Sequence, residues 1–256
     1  MKEGITLKIA ERKRLIGTIP SFELVNESDK NKKLPIIVYY HGWQINKSLV
    51  FTQGRKLAQR GFRVVLPDAM NHGERHQKVS KIPSLTFFQS IHTNLFEFAY
   101  IINYFKERHL IDDFIGVGGL SMGGMTTCAL LTHNLDINAA ACVMGTPALT
   151  DYRNLIKSHA ARSNIFLPND YEQLTQWVAE YDLAKHPDLL GDRPLFIWHG
   201  EQDDKVPFEQ TKSFVDNNPQ LNLEVHFEEA GHLVLPQTMD KITEFFVKSY
   251  QEFIAS

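Results

Sequence analysis

The chain has 256 residues, 43% of them hydrophobic and 22% charged, enough for one domain with a sizeable buried core. With 11 prolines and 15 glycines it is neither collagen-like nor low-complexity, and 2 cysteines exclude a disulfide scaffold. The 27 basic and 30 acidic residues leave a net charge of −3, with no basic stripe of the kind a nucleic-acid binder presents.

The opening MKEGITLKIAERKR is charged too often for the apolar segment of a signal peptide. The longest apolar runs fall far short of a membrane span. The expectation is therefore a soluble, cytoplasmic protein with no membrane or nucleic-acid partner. Cys128 and Cys142 suit a reducing compartment as plain buried thiols.

Along the chain, short apolar runs ending in Gly, Pro or Asp alternate with longer segments of helical period, the pattern of a mostly parallel, doubly wound α/β sheet. Residues 5–9 and 15–25 predict an antiparallel hairpin. Strands follow at 35–40 (PIIVYY), 63–66 (RVVL), 114–118 (FIGVG), 139–144 (AAACVM), 194–198 (PLFIW) and 223–227 (LEVHF). Their near-continuous apolarity is what strands covered on both faces require. Helices are expected at 49–59, ending at Gly61, and at 93–108, 122–132, 208–217 and 240–254. Between Pro147 and Asp192 the alternation stops. That segment carries amphipathic helical pieces and no strand, and reads as a lid inserted in a single domain spanning 1–256; ordinary connecting helices are the plainer alternative. Its aromatic residues include Tyr152, Phe166 and Trp177, with Ile156 and Ile165 among its aliphatic ones.

Gly119-Leu120-Ser121-Met122-Gly123 directly follows the strand FIGVG and precedes a helical run. This is the setting of a nucleophile elbow. A strand turning into a helix within about one residue strains the backbone at the serine. Side chains two positions either side would collide across the turn, so both positions are Gly. Serine needs a base, and the base an orienting carboxylate. His199-Gly200-Glu201-Gln202-Asp203-Asp204 follows one late strand, and Gly231-His232 follows the last. Of the 11 histidines only His232 lies after the last strand on a Gly-flanked turn. His199 is expected to brace the acid loop, and His109, His133 and His186 to lie at the surface. For the acid, the spacing from His199-Gly200 favours Asp203 over its neighbour Asp204, and Asp151 is a third candidate. An oxyanion hole would take the amides of Met122 and Trp43. The Trp43 indole would line the acyl pocket.

The loop 67–76 (PDAMNHGERH) is unusually polar. His72, Glu74 and His76 alternate there, but lack the i, i+4 spacing of zinc hydrolases. No metal and no cofactor is expected. A buried network with Arg75 pairing Asp68 or Glu74 is the reading, with His72 bordering the substrate pocket.

These pieces resemble the α/β-hydrolase superfamily, and more narrowly the small bacterial serine esterases related to dienelactone hydrolase and the prolyl-oligopeptidase catalytic domain. The resemblance rests on His41-Gly42-Trp43, DAMNHGER at 68–75, GLSMGG at 119–124, HGEQDDKVP at 199–207 and Gly231-His232. It implies the α/β-hydrolase fold and a triad of Ser121, Asp203 and His232; in that family the acid stands three residues after the glycine of the HG pair, which selects Asp203. Where dienelactone hydrolases proper carry a cysteine, this chain carries Ser121. The implied reaction is hydrolysis of small to medium acyl esters through an acyl-enzyme, with a small-molecule ester as partner. A thioesterase, amidase, peptidase or acyltransferase would use the same triad, and a non-catalytic sensor would keep the pocket without turnover. The amphipathic stretches leave room for a homodimer surface, although core packing explains them equally.

Overall fold

Apolar runs bounded by turn residues form the strands of an eight-stranded sheet, in a computed structural model that describes residues 8–76 and 83–256. The strands are β1 (Ile9–Ile16), β2 (Ile19–Asn26), β3 (Leu34–Tyr40), β4 (Arg63–Pro67), β5 (Ile111–Leu120), β6 (Ala139–Val143), β7 (Leu195–Gly200) and β8 (Leu223–Glu228). Their order is β1-β2-β4-β3-β5-β6-β7-β8. β1, β2 and β4 pair antiparallel, and every pairing from β4 through β8 is parallel. The mostly parallel sheet with an antiparallel opening is the architecture the alternation predicts.

The helices are α1 (Phe51–Gln59), α2 (Pro83–Lys106), α3 (Met122–Leu131), α4 (Leu149–Arg162), α5 (Tyr171–Leu174), α6 (Phe208–Asn217) and α7 (Pro236–Ala255). They cover both faces of the sheet, and the two-residue period of the strands decides which core each side chain enters. Ile36, Val38 and Tyr40 of β3 pack with Phe98 and Ile102 of α2 and with Met125 of α3. Ile37 and Tyr39 face the other way, among Leu57 of α1 and Ile242 and Phe246 of α7. Every residue of α3 is buried, so this helix lies within the core.

The main differences from the sequence reading lie in the hairpin and at the start of α2. Residues 5–7 of the expected hairpin arm lie outside the described residues. The expected strand at 15–25 is two strands, because Gly17 adopts φ +60° and makes a two-residue turn that pairs Ile16 with Ile19. α2 begins ten residues before the expected start at 93: Phe87, Phe88 and Ile91 are buried and extend the apolar face by more than a turn. The segment between β6 and β7 holds α4, α5 and short 3-10 turns, without a strand. Its start is tied down from across the segment, where buried Asp182 accepts the Thr150 amide at 2.7 Å and the Ala184 amide at 3.1 Å. Cys128 and Cys142 are free, buried thiols. Among the described residues no helix is long and apolar enough to cross a membrane.

The hairpin is joined to the sheet by charge as well as by backbone. Arg63 on β4 and Glu23 on β2 are both fully buried and form an ion pair. The remaining Arg63 donors reach the carbonyls of Lys30, Lys32 and Leu110, each at 3.1 Å. Glu23 also takes Arg14 Nε at 2.7 Å. Removing one partner of such a pair strands a buried charge, which costs about 3–5 kcal/mol. Glu23→Ala is therefore expected to lower unfolding free energy by about that amount in urea titration; a loss below about 1 kcal/mol would match an exposed pair and contradict the burial argument.

Candidate active site

β5 ends at Leu120 and α3 begins at Met122, so Ser121 alone makes the turn, with φ +55° and ψ −113°. A non-glycine residue held there stores roughly 1–3 kcal/mol of strain. The flanking glycines are required by contact: a Cβ on Gly119 would stand 2.5 Å from the Gly123 carbonyl carbon, and one on Gly123 would stand 2.4 Å from the Tyr40 oxygen. The turn is pinned by Ser121 N donating to Val143 O at 2.8 Å and Met125 N donating to Ser121 O at 2.9 Å.

The structure brings His232 and Asp203 to this serine from the β8–α7 and β7–α6 loops. His232 Nε2 lies 3.0 Å from Ser121 Oγ, and His232 Nδ1 lies 2.6 Å from Asp203 Oδ2. With a carboxylate at Nδ1, the proton belongs on that nitrogen, and Nε2 accepts from the hydroxyl. The Asp203 side chain is buried, and its Oδ1 accepts the Lys205 and Val206 amides at 2.8 and 2.9 Å. His199, also buried, lies with Nε2 3.0 Å from the Val206 oxygen and 3.3 Å from Asp203 Oδ2, so it does brace the acid loop. Burial alone would raise the Asp203 carboxyl; hydrogen bonds from His199, His232 and the two amides outweigh it and hold the group well below the usual carboxylate range. Asp204 turns outward to Lys205 at 3.1 Å, and Asp151 is exposed in the first turn of α4.

The loop after β3 passes against the elbow, where a Cβ on Gly42 would meet the Ser121 Cβ at 3.4 Å. Among the described residues neither the Trp43 nor the Met122 amide is taken by a protein acceptor. Fully buried His41 orients the peptide that carries the Trp43 amide. Its Nε2 accepts the Ala69 amide at 3.0 Å, so its Nδ1 carries the proton and donates to Gly42 O at 2.7 Å. Burial lowers His41 to about 4, which keeps the imidazole neutral.

The polar loop after β4 is a network with a different pairing from the one expected. Arg75 binds Glu97 of α2 at 2.6 and 2.8 Å and reaches only the backbone oxygen of Asp68. The Asp68 and Glu74 carboxylates are taken by Lys47, at 2.5 and 2.6 Å. Lys47 is buried in the turn after β3, beside the end of β4, whereas Arg75 lies past the Gly73 turn and faces α2. An isolated lysine carries no sequence signal of such burial. His72, Glu74 and His76 diverge, to Met70 O, Lys47 and Asn71 O respectively.

A cavity of about 470 Å³ opens on Ser121 and His232. Trp43 and Gln44 line it from the β3 loop, Ser84 and Phe87 from α2, and Lys205 from the acid loop. α4 contributes Tyr152, Ile156, His159 and Ala160, and Ile165 follows from the next loop. Tyr152 packs on Phe87 at 5.6 Å, and Phe87 on Trp43 at 5.4 Å. Burial raises the Tyr152 phenol to about 12, with the Asp203 charge adding to the shift. Three expected pocket residues lie elsewhere. His72 sits behind Trp43, ring to ring at 4.8 Å. Phe166 is 70% exposed, and its neighbour Ile165 is the one that reaches the cavity rim. Trp177 stacks on His92 at 4.3 Å, against the outer side of α2. The helical spacing 152, 156, 160 was the signal for the α4 lining, and Ser84 and Phe87 were hidden by the late expected start of α2.

Neutral His41 makes stability depend on pH. Its folded value of about 4 lies below the ordinary 6.5, so the unfolded chain binds the extra proton and stability falls as pH drops through that window. His41 is expected to remove about 2 kcal/mol between pH 7 and pH 5. Urea titrations of the wild type and His41→Gln test this; equal pH slopes in the two proteins would contradict it.

Comparison with known proteins places this geometry in a family. A model of the alpha/beta hydrolase fold matches residues 35–162. YitV of Bacillus subtilis strain 168, a protein provisionally named an esterase, is 30% identical over 243 residues, covering 90% of this chain and 95% of its own. Esterase YjfP of Escherichia coli K12 is 28% identical over 249 residues, covering 91% and 96%. Among solved structures, TT1662 of Thermus thermophilus superposes with a TM-score of 0.73 at 17% identity over 95% of this chain and 98% of its own. From the half-chain family match and the near full-length relatives, the chain belongs to the α/β-hydrolase family.

Proposed function

We propose that the protein is a serine ester hydrolase acting on small to medium acyl esters. The observation that carries this reading is the continuous chain from Ser121 Oγ through His232 to buried Asp203, with links of 3.0 and 2.6 Å, on a strained turn. A hydroxyl on such a relay is activated as a nucleophile. Names borne by the relatives YitV and YjfP point to the same activity. The whole of 1–256 acts as one unit, with 147–192 as the lid over the cavity.

Ser121 Oγ attacks the ester carbonyl carbon while its proton passes to His232 Nε2. The carbonyl oxygen becomes an oxyanion facing the amides of Trp43 and Met122; one such donor is worth about 3–4 kcal/mol. Collapse breaks the bond to the alcohol oxygen, which takes the proton from Nε2 and leaves as the alcohol. The acyl group then sits on Ser121. Water gives a proton to Nε2 as its oxygen attacks the acyl carbon, and the second collapse returns that proton to Ser121 Oγ and releases the acid. Asp203 stays ionised throughout and stabilises the imidazolium formed in each half.

A fluorophosphonate, mapped by mass spectrometry, is expected to label wild-type protein on Ser121 and to leave Ser121→Ala and His232→Ala unlabelled. Hydrolysis of 4-nitrophenyl acetate is expected to fall by at least about 10⁴-fold in Ser121→Ala. An adduct on another residue, or acetate hydrolysis that survives Ser121→Ala, would overturn the assignment.

A further inference from the structure

The lining of the cavity changes character along α4. Its inward face reads Tyr152, Ile156, Ala160, spaced four residues apart, so the three lie one above another. At 1.5 Å per residue, that face spans about 12 Å. The Tyr152 end is the one beside the reacting groups: its ring packs on Phe87, and its hydroxyl feels the charge of Asp203. Beyond it the wall is mostly aliphatic, with Ile156 and Ala160 and with His159 beside them, and Ile165 stands at the far rim, 46% exposed. Lys157 turns out of the cavity and pairs with Glu172. Ala160 is the smallest residue on the inward stripe and is itself buried.

The leaving alkoxide must take its proton from His232 Nε2, so the alcohol lies on that side. The length along α4 is left to the acyl group. An acetyl group would fill little of a cavity of about 470 Å³.

We infer that the α4 face measures the acyl chain: the substrates are medium-chain aliphatic acyl esters, and Ala160 is the specificity-determining residue that leaves room for the end of the chain. This rests on the esterase reading above and adds the substrate class to it. Ile156, Ala160 and Ile165 give the chain an apolar strip along this wall, with His159 the one polar side chain that α4 adds beyond Tyr152, and each methylene buried is worth about 0.8 kcal/mol, or about fourfold in kcat/KM.

The test is a series of 4-nitrophenyl esters, acetate, butyrate, hexanoate and octanoate, on the wild type, Ala160→Phe and Ile165→Trp. For the wild type, kcat/KM is expected to climb about fourfold per methylene up to octanoate. In Ala160→Phe the climb should stop at butyrate, so that the octanoate-to-acetate ratio falls by at least about 100-fold. Ile165→Trp, at an exposed rim that tolerates a larger side chain, should lower the octanoate-to-acetate ratio without moving the butyrate-to-acetate ratio, and it keeps the question open to measurement if Ala160→Phe does not fold. A wild-type profile that is flat or falls with chain length would overturn the inference, as would a ratio unmoved in both variants. Absence of acetate hydrolysis together with absence of fluorophosphonate labelling would instead count against the esterase reading itself.

Discussion

Backbone passes backbone at contact distance where β5 turns into α3, and the rest of the site depends on that crossing. Gly123 lies against the carbonyls of Tyr40 and His41 at the end of β3, Gly119 lies against Gly123, and Gly124 touches Val143 and Gly145 at the end of β6. No side chain fits between them. The result is that β3, β5 and β6 end together, and the loops that leave their tips converge on Ser121. The strain at φ +55° is held in place by a fully buried helix and two backbone hydrogen bonds. A turn built on the surface would relax; this one has nowhere to go.

Burial serves two opposite electrostatic ends around the elbow. Asp203 is buried yet ionised, because two amides and two imidazoles supply donors that replace water. His41 is buried and neutral, because burial disfavours its charged form and outweighs the hydrogen bond to Gly42 O, while the Ala69 amide occupies the other ring nitrogen. The first arrangement keeps a negative charge behind His232. The second holds the Gly42–Trp43 peptide through a ring that carries no charge. Lys47, Asp68 and Glu74 then tie the loops after β3 and β4 to each other.

The cavity itself is assembled from segments distant in sequence. The β3 loop, α2, α4 and the late loops each bring a few residues, and none of them forms a pocket alone. In the strandless segment between β6 and β7, Asp182 and Pro147 tie the start to residues 182–184 across the segment. Its outer face is held by Trp177 stacked on His92, so the aromatic residues of the segment divide between anchoring and lining.

The strands, the elbow and the order serine, acid, histidine were legible in the sequence because each is a local requirement. Apolar runs report double-sided cover, and paired glycines report a turn that excludes side chains. A histidine after the last strand has few places to go. Residues whose role depends on which side of a helix or loop they face were not legible. Arg75 and Lys47 compete for the same carboxylates, and only the packing of the β3 loop on β4 gives them to Lys47. Adjacent Ile165 and Phe166 are alike in hydrophobicity, yet one lines the cavity rim and the other meets solvent. By itself the sequence determined the fold class and pointed to the three side chains, Ser121, Asp203 and His232, that the structure brings within hydrogen-bond reach of one another, since both follow from backbone sterics and chain order. Only the tertiary structure decided the pairing of buried charges and the lining of the cavity, because those depend on distances between segments that no local rule specifies.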